Sequence, residues 1–114
     1  KRLAWDQDPR WFDMYQKLRE HEPRCVEVYK YENRNVHMKY IDGVVVRDKL
    51  SLEAYLTVCD ILQNIGEFCK INKIGFFNHD IKLKNFMIEN HTNKIYMIDV
   101  DGFKFHKMKE NFTI

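Results

Sequence analysis

Apolar residues recur at three- and four-residue steps through Leu52, Tyr55, Leu56, Cys59, Leu62, Ile65 and Cys69, which predicts a helix over 52–71 that buries one face. Ser51 stands before it as an N-cap, and Glu53 and Glu67 mark its polar side. Trp11, Phe12, Tyr15 and Leu18 repeat the same spacing, with Asp8 placed to cap and Pro9 at the first helical position. They predict a shorter amphipathic helix over 9–20, ended near Pro23. Between the helices the period changes to two. Residues 25–32 alternate through Val26 and Val28, Asn33-Arg34-Asn35 makes a turn, and 36–41 form the returning strand. Asp42-Gly43 breaks the pattern, and a loop is expected from there to Ser51. Beyond Gly75, Phe76-Phe77 leads into a polar loop over 78–85. Residues 86–89 and 94–98 then read as two short strands joined by Asn90-His91-Thr92-Asn93. The expected class is α+β, in one domain spanning 1–114: short helix, antiparallel hairpin, long helix, polar loop and small β-hairpin.

Composition supports a packed domain. Of 114 residues, 45% are hydrophobic and 14% aromatic, enough for a core and too apolar for wholesale disorder. Nineteen Lys and Arg against seventeen Asp and Glu give a net charge of +2, no strong pull toward nucleic acid or an anionic membrane. Lys104, Lys107 and Lys109 form the densest basic cluster, small enough to be a solvated end. No apolar run approaches the ~20 residues of a membrane-spanning helix. Cys25, Cys59 and Cys69 are widely spaced, odd in number and without a CxxC pair, which disfavours a disulfide framework or zinc knuckle and fits a reducing, intracellular compartment.

Chemistry concentrates in Asn78-His79-Asp80-Ile81-Lys82-Leu83-Lys84-Asn85-Phe86-Met87-Ile88 and, ten residues on, Ile98-Asp99-Val100-Asp101-Gly102-Phe103. Carboxylates, an amide and an ammonium stand on a loop and at a strand end, with a hairpin to bring the two parts together. Such a set can hold a hard divalent cation through oxygen ligands and orient a phosphate. Asp80 or Asp99 taken alone reads first as part of a polar turn between apolar strands.

The spacing resembles the catalytic segment of the protein-kinase superfamily, Asp-x-Lys-x-x-Asn, a hairpin, then Asp-Phe-Gly. Asp80, Lys82 and Asn85 match the first three functional positions, and Asp99 matches the metal-binding Asp. Upstream, His37 to Gly43 looks like the strand and hinge that frame the adenine pocket, which would place Met38 and Tyr40 against the nucleotide. Residues 52–71 sit where the long helix before the catalytic loop belongs, and Leu18 to Val26 looks like the link out of the regulatory helix. Asp13 falls about where that helix carries the Glu that pairs with the nucleotide-binding Lys, and it reads equally as an exposed carboxylate.

The resemblance implies phosphoryl transfer from Mg-ATP. Asp80 would take the acceptor hydroxyl's proton, Lys82 would offset charge on the phosphoryl group, and Asn85 and Asp99 would hold Mg²⁺. Asp101 is either a further metal ligand or a solvated turn residue.

Departures bear on activity. In the kinase segment a His-Arg pair precedes the Asp, and its Arg commonly pairs with a phosphorylated activation loop; Asn78-His79 stands there instead, so switching of that kind is not expected. Gly102 is displaced by one position, and no glycine loop or Val-Ala-x-Lys strand stands before residue 9. A truncated or excised kinase-like domain is the expectation, with the apolar surface of helix 52–71 covered by a protein partner or by self-association. The functions to weigh are a phosphotransferase core acting on a protein or small-molecule hydroxyl, and a catalytically inactive binding or regulatory module. A metal site at Asp99-x-Asp101 in a nucleotide-sugar transferase or nuclease is a third. Richness in Lys, Asn, Ile, Phe and Tyr suits an A/T-rich genome, such as that of a virus or intracellular pathogen.

Overall fold

The computed structural model describes residues 10–75, 82–100 and 106–107, and among these residues two helices and seven short strands give an α+β fold. The first helix, α1, runs Trp11–His21, and Arg10 occupies its cap position without a side-chain hydrogen bond. The expected cap, Asp8, and Pro9 lie outside the described residues. Trp11, Tyr15 and Leu18 are fully buried, on one stripe as their spacing requires. The Trp11 and Tyr15 rings stack at 5.2 Å between centroids. Three side chains of α1 then bond the backbone of the segment that follows. Tyr15 donates its hydroxyl to the Val26 carbonyl at 2.7 Å, Gln16 donates to Val28 at 3.0 Å and Arg19 to Cys25 at 3.0 Å.

Strands β1 (Val28–Glu32) and β2 (Asn35–Met38) form the antiparallel hairpin. Both are shorter than their alternation suggests. The turn is only two residues, Asn33 and Arg34, both at positive φ of 50° and 67°, the backbone that matches the strands' right-handed twist. Asn35 therefore pairs with Glu32 and belongs to the strand. At the other end, residues 24–26 are taken by a different partner. Met97 donates its N–H to the Arg24 carbonyl at 2.8 Å and accepts from Val26 at 2.9 Å, making a parallel bridge between Cys25 and Met97.

The stretch expected to be loop after Gly43 contains a strand. Here β3 (Gly43–Val45) adds to β5 (Phe86–Glu89), which pairs in turn with β6 (Ile95–Met97), giving a three-stranded antiparallel sheet in the order β3-β5-β6. Gly43 permits this: a Cβ there would lie 2.0 Å from the Ile88 carbonyl oxygen. A 3₁₀ turn, Val46–Lys49, leads on to the long helix.

That helix, α2, runs Leu52–Ile71, and the Ser51 side chain accepts the Ala54 N–H at 3.0 Å as the sequence predicts. Its orientation differs from expectation. The buried stripe is Ala54, Val58, Ile61, Ile65 and Phe68 with Cys69, whereas Leu52 is 75% and Leu56 57% exposed, Tyr55 is exposed, and Cys59 and Leu62 are half-buried. The helix is thus turned by roughly 100°, about one residue step, from the predicted face. Its apolar arc is broad enough for either choice, and packing against α1 and β6 selects the Val58–Ile61–Ile65 stripe.

Past α2, Lys73 at φ 53° turns the chain into β4 (Ile74–Gly75), which pairs antiparallel with β7 (His106–Lys107). Phe76-Phe77 lie outside the described residues. Strands β5 and β6 are joined by the expected Asn90–Asn93 turn, closed by Asn93 N–H to the Glu89 carbonyl at 2.9 Å. No described helix is long and apolar enough to cross a membrane.

Candidate functional site

Of the polar stretch 78–85, residues 82–85 are described. Strand β4 pairs with β7, Ile74 with Lys107 and Gly75 with His106, and Lys82, Asn85 and Asp99 fall between these two strands in the sequence. Between Asn85 and Asp99 the β5–β6 hairpin folds the chain back, so its two ends return to the same place.

Asn85 and Asp99 meet there. Asn85 closes a 3₁₀ turn, Leu83–Asn85, in which its N–H bonds the Lys82 carbonyl at 2.8 Å, just before β5 begins. Asp99 stands two residues past the end of β6. The pairing of β5 with β6 continues one step further, Ile98 N–H to the Asn85 carbonyl at 2.8 Å, and so sets the two side chains side by side. The Asn85 amide donates to Asp99 Oδ2 at 3.1 Å, fourteen positions apart in sequence, and both residues are half-buried. With its amide nitrogen engaged by Asp99, Asn85 keeps its amide oxygen as a hard donor beside a carboxylate. Two oxygen donors of this kind fit Mg²⁺, which binds through one or two protein ligands and completes its shell with phosphate and water.

Lys82 precedes the 3₁₀ turn, exposed, without an ion pair among the described residues. Asp80 and Asp101 lie outside the described residues. Among those described, no three His, Cys, Asp or Glu side chains converge in the manner of a self-sufficient metal centre.

Met38 and Tyr40 sit where the hairpin gives way to the three-stranded sheet. Met38 ends β2, half-buried against the core, and Tyr40 is 83% exposed in the connection that continues through Asp42 to β3. That connection is fixed at both ends: Lys39 N–H bonds the Glu27 carbonyl at 2.8 Å, and Asn90 N–H bonds the Asp42 carbonyl at 2.9 Å. Neither Met38 nor Tyr40 shares a hydrogen bond with Asn85 or Asp99. Asp13 is exposed on α1.

Two features of the fold lie outside what the sequence patterns show. One is the β4–β7 pairing, for which two-residue strands leave no periodic signal. The other is a buried carboxylate, Glu22, that receives Arg24 and Asn64 and ties the end of α1 to α2. The adjoining Glu22-Pro23-Arg24 triplet reads in sequence only as a polar helix end.

No family model, curated protein or solved structure matches this chain.

Proposed function

We propose that this chain is a kinase-like phosphotransferase core that uses Mg-ATP to phosphorylate a hydroxyl group on a protein or small molecule. The observation that carries the reading is the Asn85–Asp99 hydrogen bond at 3.1 Å. It joins two positions that the resemblance to the protein-kinase catalytic segment pairs as metal ligands. The β5–β6 register supports it, because it brings the ends of the hairpin, Asn85 and Asp99, together.

Bound Mg-ATP would supply the phosphoryl group and the cation that neutralises its charge. The chain's own residues have the remaining work. Asn85 and Asp99 present oxygen donors in fixed relation, and their half-buried setting strengthens electrostatic interactions relative to bulk water. Lys82, exposed and unpaired among the described residues, has an ammonium available to offset phosphoryl charge. Asp80, by the resemblance, accepts the acceptor hydroxyl's proton. Tyr40 and Met38 lie on the connection that would flank the nucleotide base.

Calorimetric titration of the chain with ATP, with and without Mg²⁺, tests this. Micromolar binding, about −8 kcal/mol, that requires Mg²⁺ and is lost in Asp99→Asn is the expected result. Nucleotide binding indifferent to Mg²⁺, or unchanged in the folded Asp99→Asn protein, sinks the metal assignment.

A second reading, a catalytically inactive binding module with a kinase-like fold, is favoured by the apolar face that α2 leaves open at Leu52, Tyr55 and Leu56. Absence of any nucleotide binding selects it.

A further inference from the structure

Away from Asn85 and Asp99, the N-terminal half of α2, the turn after α1 and the β5–β6 hairpin enclose a cleft of about 760 Å³. Its size is in the range of ligand and peptide sites, roughly 300 to 1,000 Å³. Leu50, Ala54, Ile88, Ile95 and Tyr96 give it an apolar floor, and Met38, Tyr40, Asn85 and Asp99 take no part in it. On the adjoining side of α2, past Glu53 and Thr57, Leu52 and Leu56 are exposed beside Asp60.

The charged groups that line this floor are mainly basic, three cations against one carboxylate. Lys49 and Lys94 line the cleft, both exposed and without an ion pair among the described residues. Arg24 also lines it, but its guanidinium is held by Glu22 and Asp60. Glu53 is the acidic lining residue. The N-terminus of the 20-residue α2 opens at Ser51, in the same wall, adding the positive end of the helix to the two lysines.

Strand β6 offers backbone as well. Met97 turns its N–H and C=O outward, to Arg24 and Val26. Strand alternation puts the N–H and C=O of Ile95, two residues earlier, on the same edge. There the chain neighbouring Met97 has already turned away through Pro23, closed by Cys25 N–H to the Glu22 carbonyl at 3.2 Å.

We propose that this cleft docks an extended acidic peptide segment of a partner protein, one that alternates aliphatic or aromatic anchors with Asp or Glu. Anchors on one side of the peptide fill the Leu50–Ala54–Ile95 floor, and its carboxylates meet Lys49, Lys94 and the start of α2. Its backbone extends the sheet at Ile95, the usual way an open strand edge recognises an extended chain. An apolar floor with two free cations suits such a segment better than a nucleic acid, whose recognition needs a run of basic residues.

Fluorescence anisotropy with a blocked, labelled peptide alternating glutamate and leucine tests the proposal on the full chain. Saturable binding is expected, weakened about tenfold when glutamine replaces glutamate, and by a similar factor in the Lys49→Glu, Lys94→Glu double variant. A lysine–leucine peptide is expected to regain affinity for that variant, a reversal that loss of folding cannot imitate. Leu50→Asp, at a position already 53% exposed, is expected to weaken both peptides. Asp99→Asn serves as the control that leaves docking unchanged, so failure of the nucleotide reading and failure of this one are separable. Three results overturn the proposal: no saturable binding up to about 1 mM peptide, equivalent to −4.1 kcal/mol; equal affinity for the glutamine peptide; or a dimer by light scattering that the Leu50→Asp substitution dissociates, which assigns the cleft to a second copy of the chain.

Discussion

The Asn64 side-chain amide donates a 3.0 Å hydrogen bond to Oε1 of Glu22, forty-two residues earlier, and the carboxylate that receives it is only 1% exposed. Arg24 meets the same carboxylate with its backbone N–H at 2.9 Å and with its guanidinium, then extends to Asp60 at 2.7 Å. Glu22 and Asn64 thus lock the exit of α1 to the middle of α2.

Removing one partner from this network leaves a charge in the core, which costs more than the pair contributes. Arg24→Ala is expected to lower unfolding stability by about 2 kcal/mol, less than for a sealed ion pair because Arg24 is one-third exposed. Urea denaturation measures it; a loss under ~0.5 kcal/mol would show that Asn64 and the Arg24 backbone suffice.

The same carboxylate predicts a pH dependence. Burial tends to raise the Glu22 pKa, but the hydrogen bonds from Arg24 and Asn64 outweigh it and hold the group below its ordinary value of 4.5. A lowered folded pKa means stability fully present above pH 4.5 and lost as pH falls from there through the folded value. The wild-type advantage over Glu22→Gln is therefore expected to shrink on acidification below that point. An advantage that stays constant down to about pH 3 would contradict the assignment.

Tyr15→Phe removes the buried bond to the Val26 carbonyl without altering the ring stack on Trp11. The orphaned carbonyl predicts a loss of about 1–2 kcal/mol in thermal or urea unfolding. A neutral substitution would mean that water reaches Val26.

Gly43→Ala forces a Cβ against the Ile88 carbonyl at the join of β3 and β5. The strands must separate, and a loss of about 2–4 kcal/mol is expected. Amide exchange at Val44 and Val45 is the direct readout, and protection there equal to wild type would show that the sheet yields without cost.

A double-mutant cycle on Asn85→Ala and Asp99→Ala isolates the site's own hydrogen bond. For a half-buried, charge-assisted bond the coupling expected is about 1 kcal/mol. A coupling near zero would mean that the two side chains are positioned by their strands alone.

Thiol chemistry is expected to divide the cysteines, all three of which are free. Burial pushes the Cys25 thiol far up and the Cys69 thiol up to about 11, so neither offers much thiolate at pH 8. Ellman's reagent is expected to modify at most the half-buried Cys59 quickly in the native protein, and three thiols after unfolding. Rapid reaction of two or more native thiols would show that a buried cysteine, Cys25 or Cys69, becomes exposed in the folded protein.

How far the site was legible follows from its parts. Asn85 and Asp99 stand out in the sequence because a hairpin of fixed length lies between them, and the register of β5 with β6 brings them together. The Lys49–Lys94 cleft has no such signal, since its walls come from three separate segments of the chain and neither lysine lies in a motif.

What the sequence determined by itself is local. Ser51 and the following twenty residues specify α2 to its boundaries, because capping and 3.6-residue periodicity act within a few turns. Asn90–Asn93 specifies the β5–β6 hairpin for the same reason. Tertiary structure decided which face of α2 is buried: apolar residues occupy both candidate stripes, so periodicity cannot choose between Leu52–Tyr55–Leu56 and Val58–Ile61–Ile65. Contact with α1, with β6 and with the Glu22 network chooses the second. It also decided the pairings of β3, of β4 with β7, and of Cys25 with Met97. Strands of two or three residues carry too little pattern to announce themselves, and they form where a neighbouring backbone already presents unpaired N–H and C=O groups.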